Sequence, residues 1–427
     1  MAEAYPSPAD TMAGYEDVFH PLDAVERELD GSISPPRAGT RKVNKRRLNK
    51  SSEDYPEPTD LALAVGELSP DDLLIIPEVL FSVQTYEYCG FTSAVAGRLW
   101  DLYQKNKDEF PEFDNSDHRN YFLSFAFAFI DEVPEPSAFQ DQDWNGALQT
   151  MGFDSRTQDA IMLEEFTDLR CTESANYWAK DTVDIRLGGL EEVKRVSWER
   201  AQHADRRMQR AECEERPSVV SRIPGMAIET AKDAKQNAPG STLLWKGLAQ
   251  HRTAGLFTPG NIVQDFRAIV SNPPSDFSLS GSYYWAVDKE IAMRYIKWAS
   301  KKMVIGECVL LRLEVANNLI EPLQAPVLQY PSNLWKQHIY SCRRQHVPKE
   351  LRYLLSKTLL IGHIGTGTTA IANLRDWRDI DVRHTLRRKS DNGIATQYVF
   401  SGLDGLDFLI EHCSGSLAMY RSGDQEL

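Results

Sequence analysis

Lys246 and Gly247 stand in one apolar run, LLWKGL, and Tyr283, Tyr284 and Trp285 stand in a second, SYYWAV, after a loop punctuated by Gly and Pro. Short aromatic and β-branched runs of this kind read as strands. A lysine on one strand beside an aromatic strand forms a cleft wall in which the ammonium can hold an anionic group. Two further patterns carry possible chemistry. His338, Cys342 and His346 fall at i, i+4 and i+8, a zinc-ligand spacing on one helical face, but Pro348 limits that helix and the sequence offers no fourth ligand, so no metal is expected. GTGTTA at Gly365 to Ala370 has the spacing of a dinucleotide-binding glycine turn, yet it comes late in the chain. Asp376, Asp379 and Asp381 follow it too soon, so it reads as a polar loop after a strand. The sequence contains no GxSxG, HExxH or P-loop.

The elements that must position these residues form an α+β segment spanning 241–420. LLWKGL, SYYWAV, CVLLRLEV, LLIGHIG and TQYVFSG are its strand candidates. Helices are expected from Asp288 to Lys301, Asn333 to Arg344 and Leu403 to Cys413. Ahead of it, residues 76–216 read as an all-α domain. A helix from Phe91 to Asn106 places Val95, Leu99, Leu102 and Tyr103 on one face, a second opens at Asp117 and runs through YFLSFAFAFI, and a third runs from Trp144 to Met151. A long polar helix follows from Glu173 to Glu215, and Gly188-Gly189 is expected to break it. Residues 217–240 read as a linker, and residues 1–75, rich in Pro, Ser, Asp and Glu, as a disordered tail.

The chain has 427 residues and a net charge of −14, so no general attraction to nucleic acid or to an anionic membrane is expected. The tail carries one local exception, RKVNKRRLNK at Arg41 to Lys50, readable as a nuclear signal. RHTLRRK at Arg383 to Lys389 reads as a solvated surface. Six scattered cysteines without a CxxC pair suit reduced thiols, and no run approaches membrane-span length. The expectation is a cytoplasmic or nuclear protein whose helical domain meets a protein partner.

The order of the C-terminal elements resembles the ADP-ribosyltransferase fold, in which the opening strand ends in Arg or His followed by Gly and a second strand carries an aromatic. LLWKGL, SYYWAV with its helix, CVLLRLEV, LWKQHIYSCRR, LLIGHIG and TQYVFSGLDGLDFLI keep that order, a layout similar to bacterial and filamentous-fungal proteins of this kind. The resemblance implies a split β-sheet that holds NAD. It gives Lys246 and Gly247 the cofactor-anchoring position, Tyr284 or Tyr283 the ring that stacks on nicotinamide, and Gln397 the catalytic position near the ribose. That last position is usually acidic, because the oxocarbenium-like transition state is stabilised by a carboxylate. Glu307, Glu314 and Glu321 are the other carboxylates near the middle strand. Three readings follow: transfer of ADP-ribose from NAD to a macromolecular acceptor, a non-catalytic protein that binds a nucleotide or a partner, or a nuclear regulatory protein acting through its basic clusters.

Overall fold

The computed structural model describes residues 16–44, 73–109, 118–136, 141–210, 226–232, 234–258, 260–272 and 275–422. Its first part is helical: α1 (Pro21–Leu29), then α2 (Val83–Tyr88), α3 (Ser93–Glu109), α4 (His118–Asp131), α5 (Asp141–Thr150), α6 (Ser155–Met162) and α7 (Ala175–Arg210). The aromatic run of α4 is a helix because Phe122, Leu123, Ala126 and Ile130 return to one buried face at 3.6-residue spacing. Tyr86 stacks on Phe122 at 4.0 Å, and the Tyr86 hydroxyl donates to the Phe122 carbonyl at 2.9 Å.

Two expectations about this part need correction. Residues 16–44, read as tail, are folded: α1 packs along α7, and β1 (Thr40–Asn44) pairs antiparallel with β2 (Leu73–Pro77). The basic run is divided accordingly. Arg41 is buried in β1 and ion-paired with Glu28 and Glu78, whereas Lys45 to Lys50 lie outside the described residues. Helix α7 also continues unbroken through Gly188 and Gly189. A Cβ on Gly188 would stand 2.3 Å from the His251 ring, and one on Gly189 2.2 Å from the Ile305 carbonyl oxygen. Those glycines let the rest of the fold approach the helix axis.

The second part is built on an eight-stranded mixed sheet. Its strands are β3 (Met226–Thr230), β4 (Ser241–Ala249), β5 (Ser282–Ala286), β6 (Cys308–Ala316), β7 (Val327–Leu328), β8 (Leu359–His363), β9 (Thr396–Ser401) and β10 (Leu417–Arg421), in the spatial order β3-β10-β6-β4-β5-β9-β8-β7. Residues read as linker therefore supply an edge strand, β3, which runs parallel to β10. The sheet has a seam. β4 pairs with β6 along its whole length and β5 with β9 along all of its own, but β4 and β5 share one registered pair, Trp245 with Ala286.

Helix α8 (Lys289–Lys302) covers β4 and β6 on one face, and α9 (Asn333–Arg343) covers β8 and β9 on that same face; α10 (Gly402–Cys413) packs on the opposite face. Helix α8 is shared. Its Ala292 and Ile296 pack toward the sheet, while Trp298 meets Trp178 of α7 at 4.5 Å. Between those two rings sits the Lys302 ammonium, 4.2 Å and 4.4 Å from their centroids and 2.5 Å from Asp181 Oδ2. A cation so fully removed from water persists because aromatic faces and a carboxylate replace its hydration. Among the described residues no helix is long and apolar enough to cross a membrane.

Adding a methyl group at two helical glycines should have opposite outcomes. Gly189→Ala should destabilise by about 1–3 kcal/mol, through overpacking against a backbone carbonyl. Gly146→Ala, where the added methyl meets nothing within 4 Å, should stabilise by about 0.5–1 kcal/mol. Urea unfolding of the two variants measures both, and equal effects would contradict the packing explanation.

Candidate functional site

Strand alternation decides where each candidate side chain goes. On β4, Trp245 and Gly247 face α8, whereas Leu244, Lys246 and Leu248 face the α10 side. Gly247 is required by that helix: a Cβ there would lie 2.2 Å from the Ala292 carbonyl oxygen. Its position after Lys246 is thus explained by close helix–strand packing, and it stands on the opposite face from the Lys246 side chain.

Lys246 reaches into the seam. Its ammonium donates to Ser271 Oγ at 3.0 Å and to the Tyr284 carbonyl at 3.3 Å, so it supplies the link that the backbones of β4 and β5 stop making beyond Trp245–Ala286. Among the described residues no carboxylate pairs with it. Burial, assisted by the charge of Arg252, pulls its pKa down to about 8. Arg252 itself is held by Asp181 and Asp184, at 2.8 Å and 2.7 Å.

The two tyrosines diverge. Tyr283 lies on the Lys246 side of β5, in the core with Phe266, Leu311 and Phe400. Tyr284 lies on the other side, where its hydroxyl donates to Ser275 Oγ at 2.7 Å and accepts the Phe277 N–H at 3.2 Å. Burial raises the Tyr284 pKa, so the phenol stays protonated as that donor. Gln397 shares the Tyr284 face, because Ala286 pairs with Gln397 and Tyr284 with Val399. Its Nε2 donates to Asp276 Oδ2 at 3.0 Å. The structure thus brings Tyr284 and Gln397 to one loop, 275–277, and sets Lys246 and Tyr283 on the far side of the sheet.

Asp276 is the centre of that loop and the residue sequence reading missed. Its Oδ2 also accepts the Gly365 N–H at 2.8 Å, and its Oδ1 accepts Arg343 Nε at 3.0 Å and Nη2 at 2.6 Å. Arg343, the last residue of α9, continues into the helical part, donating to the Thr172 carbonyl at 2.8 Å and to Glu173 Oε2 at 3.0 Å. All of Asp276's strong acceptor directions are filled. The signal for Arg343 was present in LWKQHIYSCRR, but nothing along the chain tied it to an aspartate in the 275–277 loop.

The remaining patterns take structural roles. The glycine-rich turn clasps the helical part: Gly367 and Thr368 N–H groups donate to the Cys171 carbonyl at 2.6 Å and 3.2 Å, and Thr368 Oγ1 donates to the Thr172 carbonyl at 2.7 Å. Helix α9 ends at Arg343, and Gln345 turns into the left-handed region (φ 53°), leaving His346 exposed and away from His338. His338 is buried against the Phe277 carbonyl at 3.3 Å, and burial pulls its pKa down to about 4. Among the described residues no group of three His, Cys, Asp or Glu side chains could hold a metal ion. Glu314 lies across from Leu243, whereas Lys246 is paired with Leu311, and Glu321 is exposed beyond β6.

Glu173 gives this network a pH dependence. Burial lifts its carboxyl from the ordinary 4.5 to about 7, against the attraction of Arg343. The folded state therefore holds that proton more tightly than the unfolded chain, and its contribution to stability is lost as pH rises from about 4.5 through 7. Urea midpoints across this range should fall with pH in the wild type relative to Glu173→Gln; parallel curves would rule the titration out. No protein-family model, curated protein or solved structure matches this chain.

Proposed function

We infer that the α+β unit is an ADP-ribosyltransferase-like domain that binds a nucleotide diphosphate such as NAD at the β4–β5 seam without transferring ADP-ribose. The observation carrying this reading is the Lys246 ammonium, placed where the half-sheets part and hydrogen-bonded to two neutral oxygens. A cation desolvated without a carboxylate gains more from an anionic ligand than an already paired one. Tyr283 and Trp285 are the aromatic residues of β5 on that side.

Absence of turnover follows from where the other candidates are committed. Cleavage of the nicotinamide–ribose bond develops positive charge on the ribose, which needs a carboxylate close by. On β9 that position is Gln397, a neutral amide directed to Asp276 on the opposite side from Lys246. Asp276 is itself surrounded by donors and linked to Arg343.

Incubation of the purified chain with labelled NAD separates the alternatives. The expected result is saturable binding with no nicotinamide release. Lys246→Met should weaken binding about 10- to 100-fold, the value of one charge-assisted hydrogen bond. Nicotinamide release would establish transferase or glycohydrolase chemistry instead, and no binding at millimolar NAD would remove the nucleotide reading.

A further inference from the structure

Helix α1 is built inside out. The side it turns toward α7 carries Asp23, Ala24 and Arg27, all buried. Asp23 accepts from Ser197 Oγ at 2.5 Å and from Arg27 Nε at 3.3 Å, and Ser197 Oγ also accepts the His20 N–H at 3.0 Å. These bonds fix the helix's rotation. The side left to solvent carries Leu22, Val25 and Leu29, which are 47%, 59% and 84% exposed. Their i, i+3, i+7 spacing makes one continuous apolar stripe, the pattern that ordinarily faces a core. Rolling the helix to bury it would pull Asp23 and Arg27 away from their partners. Contiguous exposed apolar surface of this kind marks an interaction site.

A cavity of about 200 Å³ opens at the foot of the stripe, with Phe19 and Val25 as its apolar wall. Asp17, Glu28 and Glu78 line it around the single guanidinium of Arg41, which contacts Glu28 and Glu78. The carboxylates outnumber the cation. Burial first, and then the charge of Glu78, raise the Asp17 pKa against the opposing charges of Lys194 and Arg41. Glu26 on the exposed flank of α1 extends the negative character.

We propose that α1 and this cavity are the docking surface for a basic amphipathic helix of a partner protein. Apolar side chains of that helix cover Leu22, Val25 and Leu29, and one of its lysines or arginines enters the cavity between Asp17, Glu28 and Glu78. Charge complementarity selects this occupant, since an acidic helix would bring like charge to the same carboxylates.

The test uses the full chain and two dye-labelled designed helical peptides of about 18 residues, one of Leu and Lys, the other of Leu and Glu with the same leucine positions. Fluorescence anisotropy should show the Leu/Lys peptide binding at least about tenfold more tightly than the Leu/Glu peptide. The double variant Val25→Ser/Leu29→Ser should lose at least about tenfold in Leu/Lys affinity. That variant keeps the net charge of −14, so general attraction of a cationic peptide to an acidic protein is unchanged in it. Asp17→Asn should weaken the Leu/Lys peptide without weakening the Leu/Glu peptide, from which it removes a like charge. Val25 and Leu29 lie at the surface and Asp17 is half-buried, and far-UV circular dichroism checks that the fold is kept in both variants. Equal binding of the two peptides, or undiminished Leu/Lys binding in the serine variant, would overturn the proposal. So would self-association of the wild-type chain that the serine variant abolishes, which would assign the stripe to a second copy.

Discussion

The buried guanidinium of Arg343, ion-paired with Asp276, holds the two parts of the fold in place. It joins three parts of the chain that are far apart in sequence: the Thr172–Glu173 turn before α7, the Asp276 loop before β5, and α9 itself. Through Asp276 it also fixes the Gly365 turn and Gln397 on β9. A buried charge cluster is a weak source of net stability, but removing one member leaves the others uncompensated at a cost of about 3–5 kcal/mol. The cluster therefore specifies the arrangement: the helical part and the sheet stand in one relation because any other would strand a charge. Lys302 repeats the device on the neighbouring surface, with Asp181 and two tryptophans from α7 and α8 around its ammonium.

This constraint governs the functional reading. A polar side chain already engaged in closing the fold has little left for a ligand, and Tyr284 and Gln397 are so engaged. Lys246 also helps to close the seam, but its partners are a hydroxyl and a carbonyl, so its positive charge is unanswered. The contrast between two committed residues and one cation with neutral partners is why we propose binding rather than catalysis. It also places the functional interest on the Lys246 side of the sheet, away from the Arg343 cluster.

Much of the fold could be read from the chain because its strands carry strong local signals. LLWKGL, SYYW, CVLLRLEV, LLIGH and TQYVFS all became strands, and the helices behind them began within a residue or so of their expected starts. The elements missed have signals that exist only in three dimensions. LAMYR becomes β10 by pairing with β6, and Met226–Thr230 becomes β3 by pairing with β10. Arg41 reads along the chain as part of a basic nuclear-signal run, and only the folded structure encloses it between Glu28 and Glu78. At the candidate site the residue types were legible but their sides were not. Alternation separates Lys246 from Gly247, yet only the folded packing reveals which of them lies under α8. The Asp276–Arg343 pair spans 67 positions, beyond the reach of any local pattern.

Arg343 holds the helical part and the sheet together as one cooperative unit. Urea unfolding of Arg343→Ala and the wild type, followed by tryptophan fluorescence and far-UV circular dichroism, tests it most directly. The wild type should unfold in one transition that coincides in both probes, and the variant should lose about 3–5 kcal/mol or show the two parts melting separately. Two separate transitions in the wild type, or a variant within about 0.5 kcal/mol of it, would contradict the claim.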